Sequence, residues 1–208
     1  MESGLNQKDS NIVEAEIYIN DRFLDVQMTC QNNSRLLDVL NLQLNSKLDF
    51  LKVVNLFGSI NNIGCGNSSV RFINKSDICF VALSEPNIRR GHGNGNRNYP
   101  FINKLPILVD IQTRSFNLSG FMYIKEGQTI QSVFNEAAQF MPLTHVGIIN
   151  EACIRKLRAC VIVNKQHILS YGQAQVPQEL AEDIIQRHID HNIVGEPRIT
   201  QPKIKLQV

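Results

Sequence analysis

A basic, glycine-rich stretch at 86–104 holds residues that could bind phosphate groups. It has no acidic residue and contains five Asn and three Gly, a composition that favours turns over a packed element. Cations in such a segment could contact a phosphate backbone, while Tyr99 and Phe101 could stack on bases. The predicted ligand-binding residues are the four cations of this stretch: Arg89, Arg90, Arg97 and Lys104. Because the net charge of the chain is only +2, a solvated linker is the favoured interpretation and nucleic acid is an alternative partner.

Two histidines near the carboxyl end could ligate a metal ion. His188 and His191 are spaced i, i+3 on a predicted helix at 177–192, so they share a face of that helix. The metalloprotease motif needs histidines at i, i+4 with a Glu between them. Imidazoles at the carboxyl end of a helix are favourable without any metal. We therefore predict no metal site and no cofactor.

Five cysteines are the strongest nucleophiles of the chain, and they form no C-x-x-C pair. Cys79 and Cys160 lie inside apolar runs, where a thiol packs as a small hydrophobic group. A nucleophilic thiol needs a lowered pKa and a nearby base, and no neighbour in the sequence supplies either. No catalytic residue is predicted, and the chain is predicted not to be an enzyme. The alternative is an enzyme with a site between two repeats, around Cys65 or His145.

Composition limits the class of protein. With 208 residues and 43% hydrophobic positions, the chain can bury a core as one domain or as two small ones. No apolar run reaches the roughly 18–20 residues that span a bilayer, and residues 1–11 lack the apolar segment of a signal peptide. An odd number of cysteines without that signal indicates reduced thiols. We expect a cytoplasmic protein with no membrane partner.

The elements that would position these residues follow an internal duplication. Residues 15–41 align with 109–135 without a gap, mainly through their apolar positions, and a later block at 80–88 aligns with 160–168. Each copy has two alternating strands, a short helix and two further strands. The predicted fold class is α+β, a tandem duplication of a strand-strand-helix-strand-strand unit. Each unit would form a small roll or partly open barrel, and a C-terminal helix would follow.

Local signals place the first turns and the helix starts. The Asn-Asp dipeptide at 20–21 is the predicted turn of the first hairpin, and 115–117 is that of the second. Ser34 and Thr129 are predicted N-caps, because apolar residues at helical spacing follow each of them. Asn41 would cap the end of the first helix, since Asn tolerates the left-handed conformation.

The predicted organisation has five parts: a disordered amino terminus at 1–13, repeat 1 at 14–88, a basic linker at 89–106, repeat 2 at 107–172, and an amphipathic helix with a basic tail at 173–208. Repeats of about 70 residues are near the size at which a lone core is marginal, so we expect the two to pack together. Two sheets could pack face to face, or one continuous sheet could run through both repeats. The sequence leaves these alternatives open.

Several segments resemble a small uncharacterised bacterial domain family. The pattern of that family is R-L-x-D-x-L-N, then F-L-x-L, then F-x-A-V-N-K-x-x-I. The chain matches it at 34–41, 50–51 and 80–88 in the first repeat, and at 133–135 and 163–168 in the second. The resemblance implies a bacterial cytoplasmic protein of unknown activity, and it carries over no catalytic residue.

The leading functional hypothesis is a non-catalytic interaction or scaffold module that associates with a protein partner or with itself. It rests on the strand-rich core, on the lack of a convergent polar cluster, and on a terminal helix followed by an alternating tail at 198–208. The first alternative is nucleic-acid or phosphate-ligand binding through the basic linker. The second is the enzyme with a site between the repeats.

Overall fold

The computed structural model describes residues 10–31, 34–42, 50–55, 70–83, 104–136, 138–150 and 155–174, together with Glu182 and Gln186. The strands in this part are β1 (Ser10–Ile19), β2 (Arg22–Gln31), β3 (Phe50–Asn55), β4 (Val70–Asn74), β5 (Phe80–Leu83), β6 (Lys104–Thr113), β7 (Phe116–Lys125), β8 (Phe140–Asn150), β9 (Arg155–Asn164) and β10 (Ile168–Gln173). The helices are α1 (Leu36–Asn41) and α2 (Ile130–Asn135), and short 3-10 helices span Lys75–Asp77 and Lys165–His167.

The described strands form one antiparallel sheet in the order β10-β6-β7-β8-β9-β5-β1-β2-β3-β4. The predicted α+β fold of strand-strand-helix-strand-strand units is therefore wrong, because strands dominate and each described α-helix has only six residues. The halves of the chain meet where β5 pairs with β9, from Phe80 opposite Val163 to Leu83 opposite Cys160. Segments that the sequence aligned as equivalents are thus hydrogen-bonded neighbours. Of the two arrangements left open, the structure has the continuous sheet.

The sheet has a hydrophobic core on each face of its central strands. In β5, Val81 and Leu83 belong to one core, while Phe80 and Ala82 belong to the other. The same alternation continues in β9, as expected because successive side chains of a strand point to opposite faces. The first core is closed by α1, whose Leu36 is buried in it. Both halves of the chain therefore share their central strands.

Of the five predicted local signals, two are confirmed and three differ, one of the three being the second hairpin turn, which lies at Arg114 and Ser115. The hairpin turn at 20–21 is confirmed, with Asn20 at a φ of 55°. Thr129 is confirmed as an N-cap and accepts a hydrogen bond from the N–H of Ser132 at 3.1 Å. Arg35, and not Ser34, occupies the N-cap position of the first helix, and its N–H donates to the carboxylate of Asp38 at 3.2 Å. The predicted capping role of Asn41 is also wrong, as this residue lies inside α1.

The side chain of Asn41 instead ties α1 to the second half of the chain. Its amide donates to the carbonyl of Phe140 at 2.9 Å and accepts from the N–H of the same residue at 2.8 Å. A side-chain amide that satisfies both polar groups of one backbone residue extends the strand ladder by one step. This contact fixes the helix over the start of β8.

An Asn-Lys pair at the end of β9 performs a similar task. The Asn164 side chain is fully buried, donates to the carbonyls of Ile78 at 2.9 Å and Lys75 at 3.3 Å, and accepts from the N–H of Gln166. The ammonium of Lys165 donates to the carbonyl oxygens that end α2. Asn74 and Lys75, at the end of β4, make the corresponding contacts with Ser76 and the end of α1. Polar side chains thus satisfy backbone groups where strands give way to turns.

An ion cluster bridges β1 and β9. The carboxylate of Glu16 accepts from Arg158 at 2.6 and 3.2 Å and from the hydroxyl of Tyr18 at 2.8 Å, and it lies 3.6 Å from the ammonium of Lys156. Burial would raise the pKa of Glu16, but these hydrogen bonds and charges together hold it below its usual value. Asp25 lies directly opposite Glu16 in the β1–β2 ladder, and burial and the Glu16 charge raise its pKa. The cations therefore compensate two neighbouring carboxylates.

Within the described part of the chain, no helix is long and apolar enough to cross a membrane. Of the predicted C-terminal helix, only Glu182 and Gln186 are described, and both are helical.

Candidate functional site

A cavity of about 680 Å³ opens beside α1, above strands β7, β8 and β9. Apolar side chains form most of its wall, including Leu37 of α1, Leu83 of β5 and Pro142 of β8. The strand alternation that builds the first core also produces this wall, because Cys160 and Ile162 of β9 belong to the same core as Leu83 of β5 and line the cavity. The cavity therefore lies where the two halves of the chain meet.

The cavity rim is rich in positive charge. Its lining includes four cations (Arg35, Lys104, Lys125 and Lys165) and a single carboxylate, that of Glu136. Lys165 is occupied in bonding the end of α2. Lys104 and Lys125 are exposed and lie directly opposite each other in the β6–β7 ladder. Like charges in that position repel, so this rim favours an anion.

A β-bulge shapes the wall next to these lysines. Between Ser119 opposite Gly147 and Phe121 opposite Thr144, the single residue Gly120 faces two residues of β8. One of the two is His145, which adopts a φ of 52°. That conformation is uncommon outside glycine, and the bulge requires it.

The bulge also brings Tyr123 and Thr144 together on the cavity wall. Both side chains line the cavity, and burial is the main cause that raises the pKa of Tyr123. At neutral pH the tyrosine is therefore an uncharged phenol, which can donate or accept a hydrogen bond.

Replacing Gly120 with Ala tests whether the bulge is under steric constraint. A Cβ atom at this position would lie 2.8 Å from Cγ2 of Val146 and 3.1 Å from the carbonyl oxygen of Thr144. We expect Gly120→Ala to lower the free energy of unfolding by about 1–2 kcal/mol in urea denaturation, because part of the clash is with backbone. Gly172→Ala is the control, since a Cβ there meets no atom within 4 Å. Equal stability of both variants would show that the bulge relaxes freely.

The cavity contains no activated nucleophile among its described residues. Burial raises the pKa of the Cys160 thiol to about 12, so the group stays protonated at neutral pH. Cys30 and Cys79 are also buried and their pKa values are raised by burial, as the predicted packing role requires. His145 lines the cavity and contacts the ring edge of Phe121, with 6.5 Å between ring centres. No group of three potential metal ligands occurs in the described residues.

A second candidate surface is the edge strand β4. Val70 and Phe72 of β4 and Phe50 of β3 lie on the sheet face opposite the buried Leu51 and Ile73. Phe72 is 66% exposed, and the other two are each 52% exposed. Among the described strands, β4 pairs only with β3, so its outer edge has no strand beside it. An exposed apolar edge of this kind is a template for strand pairing.

The structure describes one of the four predicted ligand-binding residues. Lys104 is the first residue of β6 and lines the cavity. The candidates that lie outside the described residues are Arg89, Arg90, Arg97, Cys65, His188 and His191. The structure therefore relates Lys104 to β7 and the cavity, and the phosphate-binding role of the other three cations stays a prediction.

Sequence reasoning missed Lys125 because it placed the hairpin turn at 115–117. The turn is at Arg114 and Ser115, where the hydroxyl of Thr113 accepts from the N–H of Phe116. A two-residue turn at this point sets Lys104 opposite Lys125 ten positions down the ladder. A correct position for this turn would have predicted that Lys104 and Lys125 lie opposite each other.

Comparison of the chain with protein-family models, with curated proteins and with solved structures gives no match.

Proposed function

We propose that the chain is a non-catalytic interaction module that associates with a second copy of itself through the outer edge of β4. The observation that carries this proposal is the exposure of Val70, Phe72 and Phe50 along a strand that has no described neighbour on one side. Pairing that edge would satisfy backbone N–H and C=O groups and remove apolar surface from water.

The sequence of β4 suits antiparallel pairing with an identical strand. In a register centred on Phe72, that residue opposes its own copy, while Arg71 opposes Ile73. Aromatic side chains directly opposite each other stabilise a ladder, and this register keeps the two arginines apart. A two-fold axis through the centre of the strand then relates the two copies, as in most homodimers.

The other end of the sheet is less suited to pairing. The β10–β6 ladder is irregular between Ile168 and Ser170, and such bulges protect natural edge strands. Tyr171 is stacked on Phe134 of α2, with ring centres 3.7 Å apart. These features favour β4 as the edge that associates.

Light scattering after size-exclusion chromatography tests the proposal. We expect the wild-type chain to have twice its mass of 23.6 kDa at micromolar concentrations. Phe72→Lys should weaken dimerisation about tenfold or more, because it places two charges opposite each other in the paired strands.

Leu169→Lys on β10 is the matched control, since Leu169 is also 66% exposed on an edge strand. This variant should remain dimeric. A monomeric wild-type chain at about 100 μM would contradict the proposal, because interfaces of standard size persist there. If Leu169→Lys lost the dimer and Phe72→Lys kept it, the result would contradict the β4 interface and indicate one at β10.

A further inference from the structure

We propose that the cavity beside α1 binds a small amphipathic anion, a molecule with a carboxylate or phosphate head and an apolar body. The head would lie between Lys104 and Lys125, and the body would lie along the apolar wall. This site is separate from the β4 edge, so the inference does not depend on dimerisation.

The size and lining of the cavity support an apolar body. Its volume of about 680 Å³ lies within the range of about 300–1,000 Å³ that is usual for small-molecule sites. Leu37, Leu83, Pro142 and Ile162 supply apolar surface from four different elements. A ligand that covered them would remove that surface from water, which is the main source of affinity in such sites.

The two opposed lysines support an anionic head. Neither ammonium is within ion-pair distance of a carboxylate among the described residues, although the two side chains are cross-strand neighbours. An anion between them would replace a repulsion with two charge-assisted hydrogen bonds. Gln128 and Tyr123 add uncharged hydrogen-bonding groups to the same lining.

The same features disfavour a nucleic acid. Only two exposed lysines of the described lining lack an ion pair, and Glu136 also lines the cavity. A polyanion gains most of its affinity from many phosphate contacts along a surface, whereas this cavity is concave and mainly apolar. A single charged head with an apolar body matches both parts of the lining.

Isothermal titration calorimetry with decanoate and with decyl phosphate tests the inference and separates a carboxylate head from a phosphate head. We expect at least one of them to bind in the micromolar range and to bind more weakly at high salt. Neutral decyl maltoside and inorganic phosphate should bind at least about tenfold more weakly, since each lacks one half of the ligand. The double variant Lys104→Gln, Lys125→Gln should weaken binding of the anion about tenfold.

Arg114→Gln is the matched control, because Arg114 is exposed at the turn end of the same hairpin and does not line the cavity. It should leave binding unchanged. Without ligand, Lys125→Gln should leave the Tm unchanged or raise it by about 1–2 °C, because it removes a like-charge pair. A purely structural lysine would instead lower the Tm when replaced.

Three results would overturn the inference. The first is equal affinity for decyl maltoside and the two anions, which would show that the head is not recognised. The second is equal weakening by Arg114→Gln and by the double lysine variant. The third is salt-sensitive binding of a single-stranded oligonucleotide that depends on the two lysines, with no binding of either anion, which would make the rim part of a nucleic-acid surface.

Discussion

Replacing Asn164 with Leu is expected to lower the free energy of unfolding by about 3 kcal/mol, because two backbone carbonyls and one N–H lose their partner. The side chain is fully buried, and its donors bond Ile78 and Lys75 of the first half of the chain. Leucine has a similar size but no polar group, so the loss is one of hydrogen bonds more than of packing. Urea denaturation at low protein concentration, followed by circular dichroism, measures the change.

Asn74→Leu provides the matched control. Asn74 accepts from the N–H of Ser76 at 3.1 Å, as Asn164 does from Gln166, but among the described residues its amide donates no hydrogen bond to the other half of the chain. We expect a cost of about 1 kcal/mol or less, the usual value of a cap. Similar losses in both variants would show that the Asn164 contacts to Ile78 and Lys75 add nothing to the cap.

Replacing Arg158 with Met is expected to cost about 2–3 kcal/mol at pH 7, because it leaves the carboxylate of Glu16 partly buried with weaker compensation. Only 17% of the Glu16 side chain and 23% of the Arg158 side chain are exposed. Met retains much of the length and apolar contact of Arg. The loss should therefore come mainly from the charge pair.

The pH dependence of this loss has a definite sign. Since the pKa of Glu16 is lower in the folded chain than its usual value of 4.5, its ionised form stabilises the fold above that pH, and the contribution disappears as the pH falls below it. The difference between wild type and Arg158→Met should therefore be largest at neutral pH and shrink below pH 4.5. Asp25 acts in the opposite sense, because its pKa is raised and its ionisation opposes folding.

Two further variants separate the charge pair from other effects. Arg22→Met removes a surface pair with Asp21, whose side chains are 74% and 76% exposed, and should not change stability measurably. Combining Glu16→Gln with Arg158→Met should recover part of the loss, since neither charge is then left alone. A double variant that is less stable than the sum of the single losses would contradict the pairing.

The sequence predicted elements that depend on local chemistry. The turn at 20–21 and the cap at Thr129 follow from side chains that bond their own neighbours, so their position can be read locally. The pairing of β5 with β9 could not be read in this way. The paired segments, 80–83 and 160–163, are short apolar runs, and apolar alternation shows which faces are buried but not which edges meet.

The cavity was predictable only in part. Lys104 was identified from its basic surroundings, whereas Lys125 required the register of a hairpin whose turn is one residue earlier than predicted. The bulge at His145 depends on the close packing of β8 against Gly120 of β7. No local sequence pattern indicates that contact. The polar contacts of Asn41 and Asn164 join residues that are 99 and 86 positions apart, which places them beyond any local signal.

The sharing of β5 between two cores has a consequence for how the chain can come apart. All four residues from Phe80 to Leu83 are buried, and alternate ones anchor opposite sides of the sheet. Unfolding of either core would expose one face of β5, and β5 also contributes side chains to the other core. The two halves should therefore melt as one cooperative unit, and neither half should persist as an independent domain when it is excised.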